Sequence, residues 1–293
     1  MSPTEACPFC IGSAHAVRLF AQKEKEEVYL LACKRCGLEY LNPQPSHLWL
    51  SEQYASYYKR RESGTRPKLE FFSRLLRSLP VSFASKRVLE VGSAEGDCVV
   101  ALTALAPTAD ITALEAGDGC SHHYRDLKCR FINLSIEHWL DQTQNSPGEK
   151  YEAILCFDLI EHLRKPIETV KGICGHLEDQ GMIVATFPAA DSLSRRILGR
   201  IWPQYKLEHL YYFSSGSIER LAQAAGLQTI RLQYLNKTLS IDYLLAVASG
   251  FGPIPFRKVS AWARDRIPAF IGQIQVTAGF GEYLWVAEKT RRS

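Results

Sequence analysis

The sequence has no long apolar run, no low-complexity tract and only a small excess of positive charge. Its longest apolar candidate, residues 243–251, is far shorter than the ~18 to 20 residues that a membrane-spanning helix needs. Lys and Arg total 35 and Asp and Glu total 31, and this net charge of +4 does not by itself indicate a nucleic-acid or membrane surface. With 46% hydrophobic and 23% charged residues in 293, the composition excludes a disordered or collagen-like chain.

The sequence also lacks the basic stretch and apolar run of a secretory signal in its first residues, MSPTEACPFC. Its nine cysteines are odd in number, which argues against a complete disulfide framework. We therefore expect a reducing, cytoplasmic setting, in which closely paired cysteines more often bind metal than each other.

Three regions differ in composition and pattern. We predict a zinc-binding ribbon at 1–45, a helical connector at 46–82 and an α/β domain at 83–293. In the last region short β-rich runs alternate with helical stretches, which is typical of a parallel sheet covered on both faces. The predicted strands are residues 87–91, 111–115, 130–134, 153–157, 182–187, 229–234 and 284–288.

The last two predicted strands are joined by a segment of roughly fifty residues, where a hairpin would need only a few. Residues 238–281 of this segment carry large apolar side chains among prolines, which a disordered linker would not. We expect an inserted, lid-like substructure over the substrate side of the pocket. A self-association interface, as in a homodimer, and a membrane-surface contact are the alternatives.

Four cysteines form two Cys-x-x-Cys pairs. Cys7 and Cys10 make the first pair, Cys33 and Cys36 make the second, and 22 residues separate the pairs. Two thiolates on one tight turn present both sulfurs to an ion, and a second such turn completes a tetrahedron. We predict a structural zinc site, with iron and then four unligated buried cysteines as the weaker alternatives. Acidic and basic residues balance within the ribbon, which argues against a phosphate-binding surface.

A glycine-bearing turn follows the first strand of the α/β region. Glu90 and Val91 precede Gly92 and Gly96, which stand four residues apart and lead into a helix. Glycine lets the backbone approach a ligand closely, and a helix N-terminus favours negative charge. The spacing does not match the GxGxxG dinucleotide fingerprint. The next strand ends at Glu115, 23 residues after Gly92, where such a sheet places a carboxylate beside a bound ribose.

At this point the chain resembles the class I S-adenosylmethionine-dependent methyltransferases, and specifically their bacterial small-molecule branch with an N-terminal zinc-binding segment. Residues 88–96, VLEVGSAEG, are similar to the family's first motif, although Ala94 replaces the middle glycine of GxGxG. Residues 158–163, DLIEHL, and 208–214, EHLYYFS, resemble the segments after its fourth and fifth strands. The resemblance implies a Rossmann-like, seven-stranded sheet with a small zinc ribbon and a helical insertion between the last two strands.

The resemblance also implies S-adenosylmethionine as cofactor and assigns its binding residue by residue. From the amino-acid end through the ribose and adenine to the methionine side, the implied residues are Glu90, Gly92, Gly96, Glu115, Ala116, Ser135, Ile136, Phe157 and Asp158. These positions lie at the carboxyl ends of the predicted strands, where open α/β sheets bind ligands.

Methyl transfer from a sulfonium is an in-line displacement that needs a positioned nucleophile and, for a protonated acceptor, a base. His162 after the fourth strand and His209 after the fifth are the candidate catalytic residues, because imidazole accepts a proton near neutral pH. Each could instead be a packing histidine. Tyr211 and Tyr212 are candidate substrate-binding residues, with a core role as the alternative.

The sequence therefore predicts a methyltransferase that acts on a small-molecule biosynthetic intermediate, with O- or C-methylation favoured. An RNA methyltransferase that grips RNA with the zinc ribbon is the second hypothesis, and a non-catalytic cofactor-binding relative is the third. The charge balance of the ribbon makes nucleic acid the less favoured partner. A local basic run supports the RNA hypothesis: Lys59, Arg60, Arg61, Arg66 and Lys68.

Overall fold

Two β-sheets organise the computed structural model, which describes residues 4–23, 26–52, 68–143, 148–250 and 254–290. The strands are β1 Thr4–Ala6, β2 Ser13–Lys23, β3 Glu26–Cys33, β4 Glu39–Asn42, β5 Arg87–Val91, β6 Asp110–Leu114, β7 Arg130–Ile132, β8 Tyr151–Phe157, β9 Leu177–Pro188, β10 Tyr211–Tyr212, β11 Leu227–Ser240 and β12 Gln275–Lys289.

Helices follow most strands of the larger sheet. The α-helices are α1 Leu69–Ser78, α2 Asp97–Leu105, α3 Ile136–Thr143, α4 Pro166–Gly175, α5 Leu193–Leu198, α6 Ser215–Ala225, α7 Ile241–Gly250, α8 Ile254–Arg264 and α9 Ala269–Gly272. Short 3₁₀ segments lie at Asp118–Tyr124, Ile160–His162 and Gly199–Ile201. Within the described part of the chain, no helix is long and apolar enough to cross a bilayer.

The seven-stranded sheet has the order β11-β12-β9-β8-β5-β6-β7. The strands from β9 to β7 pair in parallel, whereas β12 runs antiparallel to both of its neighbours. Its central strands are buried at nearly every position, as expected where helices cover both faces. This arrangement confirms the predicted Rossmann-like α/β fold.

Side chains of the central strands alternate between the two faces of this sheet. On one face, Val88 and Leu155 pack against α1 and α2 through Phe72 and Leu102. On the other face, the core extends across α4 and α6 to the four cysteines. Each large apolar side chain buried in this way stabilises the fold by about 1.5 to 3 kcal/mol. The cysteine ribbon therefore lies on one face of the sheet and shares its core.

The ribbon and the α/β region also share a sheet. The five-stranded sheet has the order β1-β2-β3-β4-β10, and its last strand comes from the α/β region. Tyr211 and Tyr212 of β10 pair with Tyr40 and Glu39 of β4. The ribbon is thus joined to the carboxyl half of the chain by main-chain hydrogen bonds.

The last two strands are longer than the sequence pattern predicts. They pair from Leu227↔Lys289 out to Ser240↔Gln275, so both ends of the predicted insertion 238–281 are strand. Only the part between them, with α7, α8 and α9, is helical. Residues 275–279, at the N-terminal end of β12, pair with β11 alone, and pairing with β9 begins only at Glu282, opposite Pro188. The helices therefore stand at the tip of a two-stranded arm that leaves the carboxyl edge of the sheet.

Candidate functional site

The turn after β5 has the backbone that close approach to a ligand requires. Gly92 and Gly96 have φ values of +74° and +79°, a left-handed conformation that glycine adopts without steric cost. The Gly92 N–H donates to the carbonyl of Leu114 over 2.8 Å, which ties the turn to the end of β6. Gly96 is the N-cap of α2, so the positive end of the helix dipole faces the turn.

Ala94 stands in the middle of this turn with φ +47°, a conformation that costs a residue with a Cβ roughly 1 to 2 kcal/mol. Its N–H donates to Oε2 of Glu115 over 2.7 Å, and the Gly117 N–H donates to Oε1 over 2.9 Å. The predicted ribose carboxylate therefore also holds the glycine turn in place. A carboxylate offers about four lone-pair sites, so ribose hydroxyls can bind in addition to these two N–H groups.

Two buried carboxylates lie behind the turn. Glu90 and Asp97 are 3% and 5% exposed, and Oε2 of Glu90 and Oδ1 of Asp97 have no hydrogen-bond partner among the described residues. Burial raises the pKa of Glu90 to about 8, and the nearby charges of Glu115 and Asp97 add to the increase, while a hydrogen bond from Cys98 opposes it. Buried carboxylates of this kind are suited to a bound cation, such as the ammonium group at the amino-acid end of S-adenosylmethionine.

The opposite side of the crevice is formed by the end of β8. Asp158 has φ +50°, a strained backbone of the kind that clusters at functional sites. Thr186 of β9 donates to its Oδ1 over 2.9 Å, and Lys68 lies 3.4 Å from its Oδ2. The Phe157 ring packs inward at 5.4 Å from Phe72. Asp158 is 37% exposed and so presents a fixed carboxylate to the crevice.

The other predicted cofactor residues, which the family resemblance places near the adenine, follow β6 and β7. Ala116 is exposed, Ser135 is half-buried and Ile136 is buried at the start of α3. The side chain of Asn133 donates to the carbonyl of Glu115 over 2.8 Å and so ties the end of β7 to the end of β6. The structure thus brings the predicted cofactor residues to one edge of the sheet.

His162 and His209 also come together, with ring centroids 4.8 Å apart in a perpendicular arrangement. Glu161 joins them, and its carboxylate and one nitrogen from each ring lie within 4.8 Å of one another. His162 is 20% exposed along its side chain, whereas Glu161 and His209 are buried. The Leu210 N–H bonds to the Glu161 carbonyl and brings the two chain segments together.

Burial governs the ionisation of this cluster. It lowers the pKa of His162, and it lowers the pKa of His209 well below its ordinary value, with the charges of His162 and Lys206 adding to the effect. Burial also raises the pKa of Glu161 well above its ordinary value, and Asp158 contributes by its negative charge. Both imidazoles are therefore neutral at pH 7.

The two candidate substrate tyrosines lie in the interior. The Tyr211 hydroxyl donates to the carbonyl of Arg164 and accepts from Gln44, over 3.1 and 3.0 Å. The Tyr212 hydroxyl donates to the carbonyl of Lys206 over 2.8 Å. Both rings are buried, which supports the packing alternative and a role in holding the loops around the histidines.

The four predicted metal cysteines are buried and converge. Sulfur atoms lie 3.6 Å apart in Cys7–Cys36 and 3.4 Å apart in Cys10–Cys33. Four sulfurs at about 2.3 Å from one zinc would stand about 3.8 Å apart, so the cluster fits a tetrahedral zinc ion. The pKa of Cys7 lies below its ordinary value because the Cys36 thiol, followed by backbone groups, hydrogen-bonds to its sulfur.

A helix N-terminus supports the second cysteine turn. Ser214, the N-cap of α6, donates from its hydroxyl to the carbonyl of Cys36 over 2.6 Å. A Cβ on Gly216 would lie 3.1 Å from that same carbonyl oxygen, so the helix packs closely on the turn. The positive helix terminus beside the thiolates favours their negative charge.

The sequence pattern did not indicate several residues that complete the site. Glu161 lies inside the motif at residues 158–163, but its proximity to His209 depends on the path of the chain after β9. Of the predicted basic run, only Lys68 falls within the described residues, and it bonds to Asp158. Tyr124, whose hydroxyl bonds to the Ser93 hydroxyl and to the Ala94 carbonyl, had no signal because its contacts depend on tertiary packing.

Comparison with known protein families gives one match that covers most of the chain. The profile of the family described as "Methyltransferase domain" matches residues 58–232. No curated protein sequence matches the chain.

Solved structures share the fold at low sequence identity. A chain of the complex between the Haloferax volcanii Trm112 methyltransferase activator and a proposed methyltransferase has a TM-score of 0.53 and 13% identity, and the match covers 83% of this chain and 97% of that chain. A proposed methyltransferase from Bacillus halodurans C-125 has a TM-score of 0.52 and 13% identity, over 75% and 99% of the two chains. A Thermotoga maritima S-adenosylmethionine-dependent methyltransferase, suggested to act on histamine, has a TM-score of 0.52 and 14% identity, over 83% and 99%.

Proposed function

This chain belongs to the methyltransferase domain family, the class I S-adenosylmethionine-dependent methyltransferases, and we propose that it methylates an oxygen or carbon atom of a small-molecule biosynthetic intermediate. S-adenosylmethionine supplies an electrophilic methyl group at its sulfonium. The turn from Gly92 to Gly96 and the carboxylate of Glu115 hold the cofactor, and Glu90 and Asp97 receive its ammonium group. Asp158, with its fixed side chain, lies at the methionine side.

The observation that carries the small-molecule acceptor is the position of the ribbon. Its β4 pairs with β10, and the Cys36 carbonyl is bound by Ser214, so the ribbon is built into the core. A ribbon that grips RNA would instead need an exposed face with excess positive charge. The only described residue of the basic run, Lys68, is bonded to Asp158. These contacts favour a small acceptor over RNA.

We assign removal of the acceptor proton to the cluster of Glu161, His162 and His209. During transfer the bond from the methyl carbon to sulfur breaks and a bond to the acceptor atom forms. The electron pair returns to sulfur and leaves S-adenosylhomocysteine. A protonated acceptor must also lose its proton, and a positioned base accelerates such steps by about 10²- to 10⁴-fold. His162 is the more exposed imidazole of the two and is the one that the acceptor can reach.

The arm formed by β11 and β12 is suited to cover the acceptor. Residues 275–281 extend past the end of β9 and span on the order of 20 Å. At its tip, Val259, Trp262 and Phe270 are 63%, 58% and 72% exposed. Apolar side chains exposed to this extent indicate contact with an apolar group. We propose that the acceptor is apolar or amphipathic and that α7 to α9 form its lid.

Two measurements on the purified chain test this function. Calorimetry should detect binding of S-adenosylmethionine and of S-adenosylhomocysteine, and the absence of binding by both would contradict the proposal. A gel-shift assay with structured RNA should show no shift at physiological salt, where non-specific binding is weak. Retention of tight, salt-dependent RNA binding together with RNA methylation would favour the RNA methyltransferase.

A further inference from the structure

The tautomers of His162 and His209 are fixed by backbone carbonyls. Nδ1 of His162 lies 2.8 Å from the carbonyl oxygen of Glu208, and Nδ1 of His209 lies 2.8 Å from that of Gln204. A carbonyl only accepts, so each Nδ1 must carry the proton and each Nε2 carries the lone pair. An N–H···O=C bond of this type is also the usual support of a metal-ligating histidine.

A buried carboxylate faces these two lone pairs. Glu161 is 1% exposed, and its Oε2 has no hydrogen-bond partner among the described residues. Its Oε1 lies 4.0 Å from Nε2 of His162. A shared proton would require a separation below about 3.2 Å, so a proton alone does not join these atoms. The cluster therefore brings the unpartnered Oε2 of the buried Glu161 close to the Nε2 atoms of the two imidazoles.

A metal ion fits this spacing better than a proton does. Ligand atoms at about 2.0 to 2.2 Å from one ion stand roughly 3 to 4 Å apart. The ligand atoms of Glu161, His162 and His209 all lie within 4.8 Å of one another, so a closure of at most about 1 to 2 Å would complete the site. In the cysteine site of the ribbon, the paired sulfur atoms lie 3.4 and 3.6 Å apart, so those ligand atoms are also close to the spacing that one ion requires.

We propose that Glu161, His162 and His209 bind a divalent transition-metal ion, which is distinct from the zinc of the ribbon. Two imidazoles and one carboxylate suit zinc and other borderline divalent ions. Three protein ligands leave coordination positions open, as in catalytic rather than structural sites. His162 is the most exposed member of the set. Among the charged groups around the site, Asp158 favours the cation and Lys206 opposes it.

The ion would promote removal of the proton from the methyl acceptor, the step that we assign to Glu161, His162 and His209. A hydroxyl bound to a divalent metal would lose its proton more readily than a free hydroxyl. With the ion bound, both Nε2 lone pairs are ligands, so the proton would leave to solvent water and the ion would replace His162 as the group that promotes its loss. This role toward the acceptor rests on the proposed function, but the metal site itself does not. The site can therefore be tested without any acceptor.

Cobalt titration of the metal-depleted wild-type chain tests the site directly. The thiolate site should show sulfur-to-cobalt charge transfer, and a further equivalent should add bands of nitrogen and oxygen ligation without sulfur. The zinc-loaded wild type should hold about two ions per chain, against about one in Glu161→Gln and His209→Gln. His176 is the matched control, because it is buried and bonded to Thr143 outside the cluster. His176→Asn should keep about two ions.

The outcomes separate the metal site from the function. A wild type that accepts cobalt only at sulfur overturns the metal site, whether or not the variants fold. Equal metal content in Glu161→Gln and the wild type overturns it as well. If the same preparation binds S-adenosylmethionine with one ion per chain, the methyltransferase stands without the second metal. If it holds two ions but binds neither cofactor nor product, the metal site stands and the proposed function fails.

Discussion

The backbone N–H of Ala94 donates a hydrogen bond of 2.7 Å to Oε2 of Glu115. This bond connects the turn after β5 with the end of β6, the two segments that we predict to hold the cofactor. The Gly117 N–H occupies the other oxygen of the same carboxylate. Glu115 is therefore a structural support of the crevice as well as the residue that we predict to bind the ribose.

We expect Glu115→Ala to weaken cofactor binding strongly. Two charge-assisted bonds to the ribose, about 1.5 to 3 kcal/mol each, would be lost. The two N–H groups would also lose their acceptor, at about 1 to 3 kcal/mol each in the free energy of unfolding. Glu115→Gln keeps one acceptor oxygen and should lose less of both. Calorimetry and urea denaturation measure the two effects, and an unchanged dissociation constant would show that the ribose lies elsewhere.

Ala94→Gly should stabilise the turn. The φ of +47° costs alanine roughly 1 to 2 kcal/mol, which glycine avoids, although glycine loses more chain entropy on folding, about 0.5 to 1 kcal/mol. The expected net gain is a few tenths to about 1 kcal/mol in the free energy of unfolding. The matched control is Ala224→Gly on the exposed face of α6, which should lose about 0.5 to 1 kcal/mol. If Ala94→Gly lowered the free energy of unfolding as much as the control does, the backbone at Ala94 would not be strained.

The sequence indicated the sheet and the cofactor crevice because their signals are local. The strand at 87–91 matches β5 residue for residue, since four consecutive buried positions follow Arg87. The carboxylates of the crevice lie at or near the ends of strands. The carboxyl ends of parallel strands meet at one edge of the sheet, and this does not depend on the rest of the chain. The two Cys-x-x-Cys pairs are also a local signal, because each is recognised from four consecutive residues.

The other parts of the site depend on contacts between distant segments. Lys68 reaches Asp158 from 90 residues away, and Ser214 bonds to Cys36 across 178 residues. No periodicity or spacing encodes such a pair. The sequence pattern predicts shorter β11 and β12 for a related reason: among the described strands, residues 275–279 of β12 pair only with β11, and no third strand continues the sheet beyond Pro188 of β9.

The pKa of Glu90 makes the stability of the cofactor-free chain depend on pH. Burial raises this pKa from 4.5 to about 8 in the folded state, so ionisation of Glu90 disfavours folding. Its contribution is fully present below about pH 4.5 and is lost as the pH rises to about 8, with a slope of up to about 1.4 kcal/mol per pH unit. We expect Glu90→Gln to remove this slope in urea denaturation between these limits. The same slope in wild type and variant would exclude Glu90 as its source.

Cofactor binding should release a proton from Glu90. The cationic ammonium favours the carboxylate, so below about pH 8 binding drives deprotonation and the affinity rises with pH. Calorimetry in two buffers with different ionisation enthalpies should report up to about one proton released per cofactor near pH 7. Glu90→Gln should bind more weakly and release no proton at this position. Proton release that is equal in both proteins would place its source elsewhere.

Removal of the ribbon zinc should destabilise the whole chain in one transition. The ribbon shares its core and a sheet with the α/β region, and Ser214 ties the Cys36 turn to α6. Ser214→Ala should cost about 1 to 2 kcal/mol, because it removes a helix cap and this bond. Ser192→Ala removes the N-cap of α5 and is the control for capping, because the bonds given for the Ser192 hydroxyl are to Ser194 and to the Arg195 N–H. The ion pair of Arg195 with Glu39 of the ribbon does not involve that hydroxyl. A separate low-temperature transition of the ribbon after chelation would contradict the shared core.

Replacement of residues 241–274 by Asn-Gly tests the lid. Ser240 and Gln275 are directly paired, so a two-residue turn can close β11 and β12 into a hairpin. The helices α7 to α9 contribute nothing to the described core of the sheet, so stability and cofactor affinity should change little. Single-turnover methyl transfer to phenols of increasing alkyl chain length should lose its preference for the longer chains, because the exposed apolar surface of Trp262 and Phe270 is removed. Trp262→Ser should show a smaller loss of the same kind. An unchanged preference, together with a shift from dimer to monomer in gel filtration, would identify the helices as an interface.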